Sequence, residues 1–96
     1  MSDLYPTGPI TSLIRQMSKL QGFREKTKTR FAELTDREVE VLGCVAEGLK
    51  NPAIAKKLGI TRATVQNHRA AVRGKLGIET HTDYIKFALA YDLIKL

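Results

Sequence analysis

The residues of this chain that could do chemistry are concentrated between Thr61 and Leu76, and their types suit recognition rather than catalysis. If this stretch is a helix of about 100° per residue, its apolar face consists of Val65, Val72 and Leu76. The opposite face carries small and amide side chains, namely Ala63, Gln66, Asn67, Ala70 and Gly74. Side-chain amides can pair with adenine N6 and N7, and small residues let a helix sit deep in a major groove.

Hydrogen-bond donors flank this outward face on both edges. One edge carries Arg62, Arg69 and Arg73, and the other carries Thr64, His68 and Lys75. No Asp or Glu occurs from Leu49 to Ile78, in a chain of 96 residues whose formal net charge is +6. Such a field attracts a polyanion, and donors on both edges match the two phosphate strands of a groove. The alternatives are a solvated basic face without a partner and small residues that pack against another helix.

The sequence contains no constellation typical of an enzyme. Paired carboxylates, metal-ligand clusters, glycine-rich phosphate loops and nucleophile–base pairs do not occur at usable spacing. Cys44 is the only cysteine, which excludes an internal disulfide and a multi-cysteine zinc site. We therefore expect no catalytic residue, no metal and no cofactor. No apolar run approaches the roughly 18 residues of a membrane span and no signal-peptide pattern opens the chain, so we expect a cytoplasmic protein without a membrane partner.

Start and stop signals predict an all-α fold in which four helices form a helix-turn-helix domain. The first of these helices runs from Asp36 to Glu47, after a capping box made by Thr35 and Glu38. The second helix is predicted to start after the cap residue Asn51, with Pro52 at the first helical position, and to end at Gly59. The third is predicted to start after the cap residue Thr61 and to end at Gly77, and the fourth to start after Thr82. The short spacing between the second and third helices requires them to cross sharply.

An additional amphipathic helix is predicted ahead of this domain, from Pro9 to about Gln21. Its apolar stripe consists of Ile10, Leu13, Ile14, Met17 and Leu20. This stripe is expected to pack on its own domain, with a second protomer as the alternative. Gly22 is expected to end the helix, and a basic linker that could lie along a phosphate backbone follows. The predicted domains are therefore an N-terminal extension at 1–33 and a DNA-binding domain at 34–96.

The fourth helix of the domain is apolar around nearly its whole circumference. Only Lys86 and Asp92 interrupt the apolar residues between Tyr84 and Ile94. Because a terminal helix of so small a domain cannot bury every side against its own core, a partner surface is expected. A twofold copy is the simplest partner. Fraying, or packing against the N-terminal helix, is the alternative.

Three segments resemble the LuxR/FixJ-type, GerE-like helix-turn-helix domain of bacterial transcription regulators. They are LTDREVEVL from Leu34, GLKNPAIAKKLGIT from Gly48 and TVQNHRAAVRGKLGI from Thr64, within a similarity over about Leu34 to Ile94. The resemblance implies that the third helix enters the major groove and that the fourth mediates dimerisation.

The same resemblance implies roles for individual positions. Base contacts are expected from Gln66, Asn67 and Ala70. Phosphate contacts are expected from Asn51, Thr61, Thr64, Arg69 and Lys75. Arg73 joins this set because it lies on the same edge of the third helix as Arg69. Dimer contacts are expected from the apolar residues Tyr84, Phe87, Ala88 and Tyr91. This sequence departs from the family at Gly74, where a longer polar residue is usual, and at Ala70, which removes a long-chain base contact.

We therefore predict a sequence-specific, dimeric transcription regulator that binds double-stranded DNA. The alternative is a protein-interaction module on the same scaffold, which binds RNA polymerase or a larger regulator and for which DNA contact is secondary. Regulators of this family typically carry an N-terminal receiver or sensor domain, and 33 residues are too few for either. We expect a natural short protein that acts without such a domain, rather than an excised fragment.

Overall fold

A computed structural model describes residues 9–94, with side chains described from residue 19 onward. Its five helices are α1 (Pro9–Phe31), α2 (Asp36–Ala46), α3 (Asn51–Leu58), α4 (Arg62–Leu76) and α5 (His81–Ala90), and this described part contains no strand. The predicted all-α fold is confirmed. The helices α3 and α4 are the helix-turn-helix pair, and α1 is the additional N-terminal helix.

Local capping chemistry fixes several helix ends where the sequence predicts them. The hydroxyl of Thr35 accepts a hydrogen bond from the Glu38 N–H at 3.2 Å, and Glu38 Oε1 accepts one from the Thr35 N–H at 2.9 Å. Thr61 caps α4 by accepting from the Thr64 N–H at 3.1 Å. Gly59 and Gly77 end α3 and α4 in the left-handed conformation. The capping box and the Thr61 cap are therefore confirmed.

Two predicted helix starts are wrong. The residue that caps α3 is Lys50, without a side-chain hydrogen bond, and Asn51 is the first residue inside the helix. The Asn51 side chain is turned toward α4 instead, where it accepts a hydrogen bond from Arg69. The cap of α5 is Thr80 rather than Thr82, because Asp83 completes a capping box with Thr80. The α2 helix also ends at Ala46, one residue before the predicted end.

The predicted basic linker is also wrong, because α1 continues as one helix through Gly22 to Phe31. A single glycine inside a helix costs only about 1 kcal/mol, which packing can offset. Phe23, Thr27 and Phe31 recur every four residues and pack against α5, with Thr27 only 2% exposed. The predicted stripe from Ile10 to Met17 falls on side chains outside those described.

The core is centred on α2, which packs against both α4 and α5, and α3 packs beside α4. The predicted inner face of α4 is confirmed, since Val65 and Val72 are fully buried and Leu76 is 2% exposed. These three residues fix the rotation of α4 about its own axis. Its opposite side is consequently turned away from the domain.

Gly74 gives a direct test of how α4 is built. It lies in the helix interior, and a Cβ added there would meet nothing within 4 Å. We expect Gly74→Ala to raise the free energy of unfolding by about 0.5–1 kcal/mol in urea denaturation, because alanine loses less backbone entropy. Gly77→Ala is the matched control and should be destabilising, since Gly77 has a φ of +70°. A destabilising Gly74→Ala would contradict a regular helix at this position.

Candidate nucleic-acid interface

The outward face of α4 presents the three predicted base-contacting side chains to solvent. Gln66, Asn67 and Ala70 lie on this face with Ala63 and Gly74, and the burial of Val65, Val72 and Leu76 on the opposite side turns it outward. The helix has 15 residues, and it is therefore about 22 Å long. Two amides on a face of otherwise small side chains can approach base edges without obstruction from bulky neighbours.

Two of the predicted phosphate-contacting residues bind each other. Arg69 donates from Nη1 to Asn51 Oδ1 at 2.8 Å, and its guanidinium carbon lies 5.8 Å from the centroid of the Tyr84 ring. Both contacts restrain the Arg69 side chain, which is half-buried. A guanidinium carries five N–H donors, so one bond to Asn51 leaves others for a phosphate. Asn51 thus orients Arg69 from the start of α3.

A basic concavity of about 540 Å³ lies where the end of α2, the start of α3, α4 and the first residue of α5 come together. Its polar lining consists of Lys50, Asn51, Gln66, Arg69, Arg73 and His81, with Val45, Gly48 and Leu49 as its remaining walls. All six polar side chains can donate hydrogen bonds, and none of the lining residues is acidic. The concavity is therefore suited to binding an anionic group.

Two residues of this concavity, Lys50 and His81, have no role in the sequence-based prediction. Lys50 lies in the acid-free stretch, and that charge pattern is its only signal. His81 lies 12 residues beyond Arg69 in the sequence, and only the packing of α5 brings it to the same surface. No local sequence pattern identifies His81.

The first turn of α4 contributes two hydroxyl groups. The Oγ1 atoms of Thr61 and Thr64 lie 2.8 Å apart, and this hydrogen bond is exposed. The N-terminal end of a helix carries a partial positive charge, which favours a nearby anion. The structure thus places both predicted phosphate-contacting threonines at a favourable end of α4.

Lys75 is engaged inside the fold. Its Nζ donates to Glu38 Oε1 at 2.7 Å and to the backbone oxygen of Glu33 at 3.1 Å. Lys75 does not line the basic concavity. Through these two contacts Lys75 links α4 to the start of α2 and so has a structural role. Its phosphate contact stays a prediction.

The ion pair of Glu38 and Lys75 makes stability depend on pH. Burial raises the pKa of the Glu38 carboxyl. Hydrogen bonds from Lys75 and from the Thr35 N–H lower this pKa, as does the positive charge of Lys75, and their combined effect is larger than that of burial. The pKa of Glu38 therefore lies below its ordinary value. A group with a lowered pKa in the folded state stabilises the protein at neutral pH, and this contribution is lost as pH falls through its folded pKa.

We therefore expect Glu38→Gln to lower the free energy of unfolding at pH 7 by about 1–2 kcal/mol, with a smaller difference from the unmodified protein below about pH 4. Urea denaturation between pH 3 and 7 measures both effects. Glu40→Gln is the matched control on the same helix, because Glu40 forms only an exposed pair with Arg37 at 3.7 Å. A pH-independent difference for Glu38→Gln would show that the charge of Glu38 does not matter.

All four predicted dimer residues are buried or half-buried within this chain, and two of them, Phe87 and Tyr91, pack against α1. Tyr84 and Phe87 are each 4% exposed, Ala88 is fully buried, and Tyr91 is half-buried. Phe23 of α1 meets Phe87 edge-on with ring centroids 4.7 Å apart. The alternative, packing against the N-terminal helix, is therefore what the structure shows at Phe87 and Tyr91, through Phe23 and Phe31 beyond the predicted end of that helix. Dimerisation itself stays a prediction.

Among the described residues, no group of three or more His, Cys, Asp or Glu side chains is arranged to hold a metal ion. Across the same part of the chain, no helix has both the length and the apolar character needed to cross a bilayer.

The sequence of this chain is similar to those of bacterial regulators. Residues 32–88 match the family model of bacterial regulatory proteins of the luxR family, also called GerE. The match includes α2, α3, α4 and most of α5, and it begins directly after the last residue of α1, so that α1 lies outside it.

Individual relatives agree with the family model. The transcriptional regulatory protein YdfI of Bacillus subtilis is 30% identical over 84 residues, which are 88% of this chain and 39% of YdfI. The transcriptional regulatory protein MctR of Rhizobium johnstonii is 43% identical over 61 residues, 64% of this chain and 28% of MctR. The DNA-binding transcriptional activator DevR/DosR of Mycobacterium tuberculosis is 39% identical over 72 residues, 75% of this chain and 33% of that protein. The chain therefore spans well under half of the length of these relatives.

Proposed function

The chain belongs to the luxR family of bacterial regulatory proteins, and on this premise we propose that it regulates transcription by inserting α4 into the major groove of duplex DNA. In this proposal Gln66, Asn67 and Ala70 contact base edges. Two sets of groups bind the phosphate strands. They are the side chains of the basic concavity and the hydroxyls of Thr61 and Thr64 at the first turn of α4. The protein acts in the bacterial cytoplasm, where the chromosomal DNA lies.

The observation that carries the proposal is the arrangement of donors around the outward face of α4. Exposed amides occupy the middle of that face, and the basic concavity beside it brings Lys50, Arg69, Arg73 and His81 to one surface without an acidic residue. Phosphate contacts position a protein on DNA, while contacts to base edges determine sequence preference. This surface offers both kinds of contact side by side.

A homodimer on DNA is the second part of the proposal, with α5 as the contact. Its support is that Ile85 and Leu89 remain half-buried on this helix after α1 has packed against the domain. A twofold dimer would place two copies of α4 on successive half-sites, about one helical turn of DNA apart. Contact of Phe87 and Tyr91 with a second copy would require α1 to move away, because both rings pack against it. Tyr84 and Ala88 are also buried within this chain. Sedimentation with and without duplex tests the dimer directly.

Nuclear magnetic resonance titration with a duplex tests which surface binds DNA. We expect the largest amide shift changes at Lys50, Asn51 and Gln66, and small changes along the exposed side of α1. The alternative function, a module that binds RNA polymerase or a larger regulator, predicts that α4 resonances stay unchanged with DNA. Under that alternative, RNA polymerase should shift resonances of α1 and α5 instead.

A further inference from the structure

We propose that α1 holds the DNA-contacting helix in its binding orientation through a latch at the end of α4, with Arg30 as the positioning residue. The latch consists of two hydrogen bonds in opposite directions. Arg30 Nη1 donates to the backbone oxygen of Leu76 at 3.1 Å, and Lys75 Nζ donates to the backbone oxygen of Glu33 at 3.1 Å. The proposal rests on the proposed function, because it concerns how α4 binds DNA.

The chemistry of the Arg30 contact is specific to a helix end. Leu76 is the last residue of α4, and the final carbonyl groups of a helix have no partner within it and carry a partial negative charge. A guanidinium is a suitable partner for such a group. Gly77 follows directly with a φ of +70°, which ends α4 beside the Arg30 side chain.

The latch is connected to a larger contact between α1 and α5. Phe31 stacks on Tyr91 with ring centroids 3.7 Å apart and planes 2° apart. The Tyr91 hydroxyl lies 2.9 Å from Thr27 Oγ1 and donates to the backbone oxygen of Arg24 at 3.0 Å. Arg24 Nη1 in turn donates to the backbone oxygen of Ala90, the last residue of α5, at 3.2 Å.

Two arginines of α1, Arg24 and Arg30, therefore bind the C-terminal ends of two different helices. Within the described residues, α1 packs against α4 and α5 and makes no comparable contact with α2 or α3. The luxR family model matches residues 32–88, so Arg24 and Arg30 lie before the part of the chain that the model covers.

The geometry explains how α1 can act on DNA contacts that it does not make. Gln66 lies ten residues before Leu76, which corresponds to about 15 Å along the helix. A helix moves as a rigid element over that distance, so a shift at its last turn also shifts the side chains that reach the bases. Leu76 is itself 2% exposed, and its displacement would disturb the end of the core. Forces applied to α1 are thereby transmitted to the orientation of α4.

The test is Arg30→Met, which removes the donor and keeps the aliphatic length, compared with Lys26→Met as a matched loss of charge at an exposed site on the same helix. Affinities are measured for a preferred and a scrambled duplex, at a temperature where all variants are folded. We expect Arg30→Met to lower the ratio of the affinity for the preferred duplex to that for the scrambled duplex roughly three- to tenfold. The slope of log affinity against log salt should stay unchanged. Lys26→Met should leave the ratio unchanged, and Arg30→Lys should recover part of the loss.

Two outcomes would overturn the latch. An unchanged ratio for Arg30→Met would mean that the contact only stabilises the fold. A similar loss on both duplexes, with a salt slope smaller by about one, would mean that Arg30 contacts phosphate directly. Failure of the proposed function is distinguishable, because the unmodified protein itself would then fail to discriminate between the duplexes.

If the unmodified protein fails to discriminate between the duplexes, the latch can still be tested by nuclear magnetic resonance of the protein without DNA. Arg30→Met should change the amide resonances of α4 as far as Gln66 in the free protein, whereas Lys26→Met should not. Changes restricted to the immediate neighbours of Arg30 would contradict the transmission of movement along α4.

Discussion

Replacing Arg69 and Arg73 together by methionine is expected to weaken binding to every duplex by roughly 50-fold near 0.1 M salt. Removal of one phosphate contact should reduce the slope of log affinity against log salt by about 0.9, so the double variant should reduce it by about 1.8. Both arginines line the basic concavity, and Asn51 holds Arg69 there through a 2.8 Å hydrogen bond. Methionine keeps the helix propensity and much of the side-chain length, which limits effects on the fold.

Fluorescence-anisotropy titrations over a range of salt concentrations measure this effect on a preferred and a scrambled duplex. The double variant Lys26→Met with Lys28→Met is the matched control, because it removes the same charge from exposed positions on α1. If the control pair weakens binding as much, the effect arises from net charge and the basic concavity is not the phosphate site.

Gln66→Ala is expected to act on sequence preference instead. Gln66 is exposed in the middle of the outward face of α4, where its amide can pair with one base edge. We expect a loss of about 1–3 kcal/mol on the preferred duplex, with relaxed discrimination at one base pair and little change on scrambled DNA. The salt slope should stay the same, because an uncharged amide releases no counterion.

Gln21→Ala provides the matched control for this prediction. Gln21 is also exposed, but it lies on α1 rather than on α4, so its replacement should affect neither duplex. Equal losses on preferred and scrambled DNA for Gln66→Ala would show that Gln66 does not contact bases.

The features that the sequence predicts correctly are local ones. The capping box of Thr35 and Glu38, the Thr61 cap and the inner face of α4 each depend on residues within a few helical turns. Periodicity and capping operate over that range, and they determine which side of α4 faces solvent. The exposed amide face of the candidate site therefore follows from sequence alone.

The features that the sequence does not predict depend on packing between distant segments. Gly22 is an acceptable interior residue of α1 because Phe23, Thr27 and Phe31 pack against α5. The same packing covers the apolar side of α5, for which the sequence pattern favours a second protomer.

The electrostatic pairs are non-local in the same way. Lys75 pairs with Glu38 across 37 residues, and His81 reaches the basic concavity only through the position of α5. A charge pattern shows that a stretch is basic, but it does not show which of its cations are used inside the fold. The family resemblance implies a phosphate contact for Lys75, and neither the resemblance nor the charge pattern assigns a contact to Lys50 or His81.

Selection from a random duplex library with the 96-residue chain at moderate salt tests most directly whether this protein recognises DNA sequence. We predict enrichment of a twofold-symmetric site whose half-sites lie about one helical turn apart, as two α4 helices on one face of the duplex require. Salt-sensitive retention of DNA without any enriched sequence would contradict base recognition by α4.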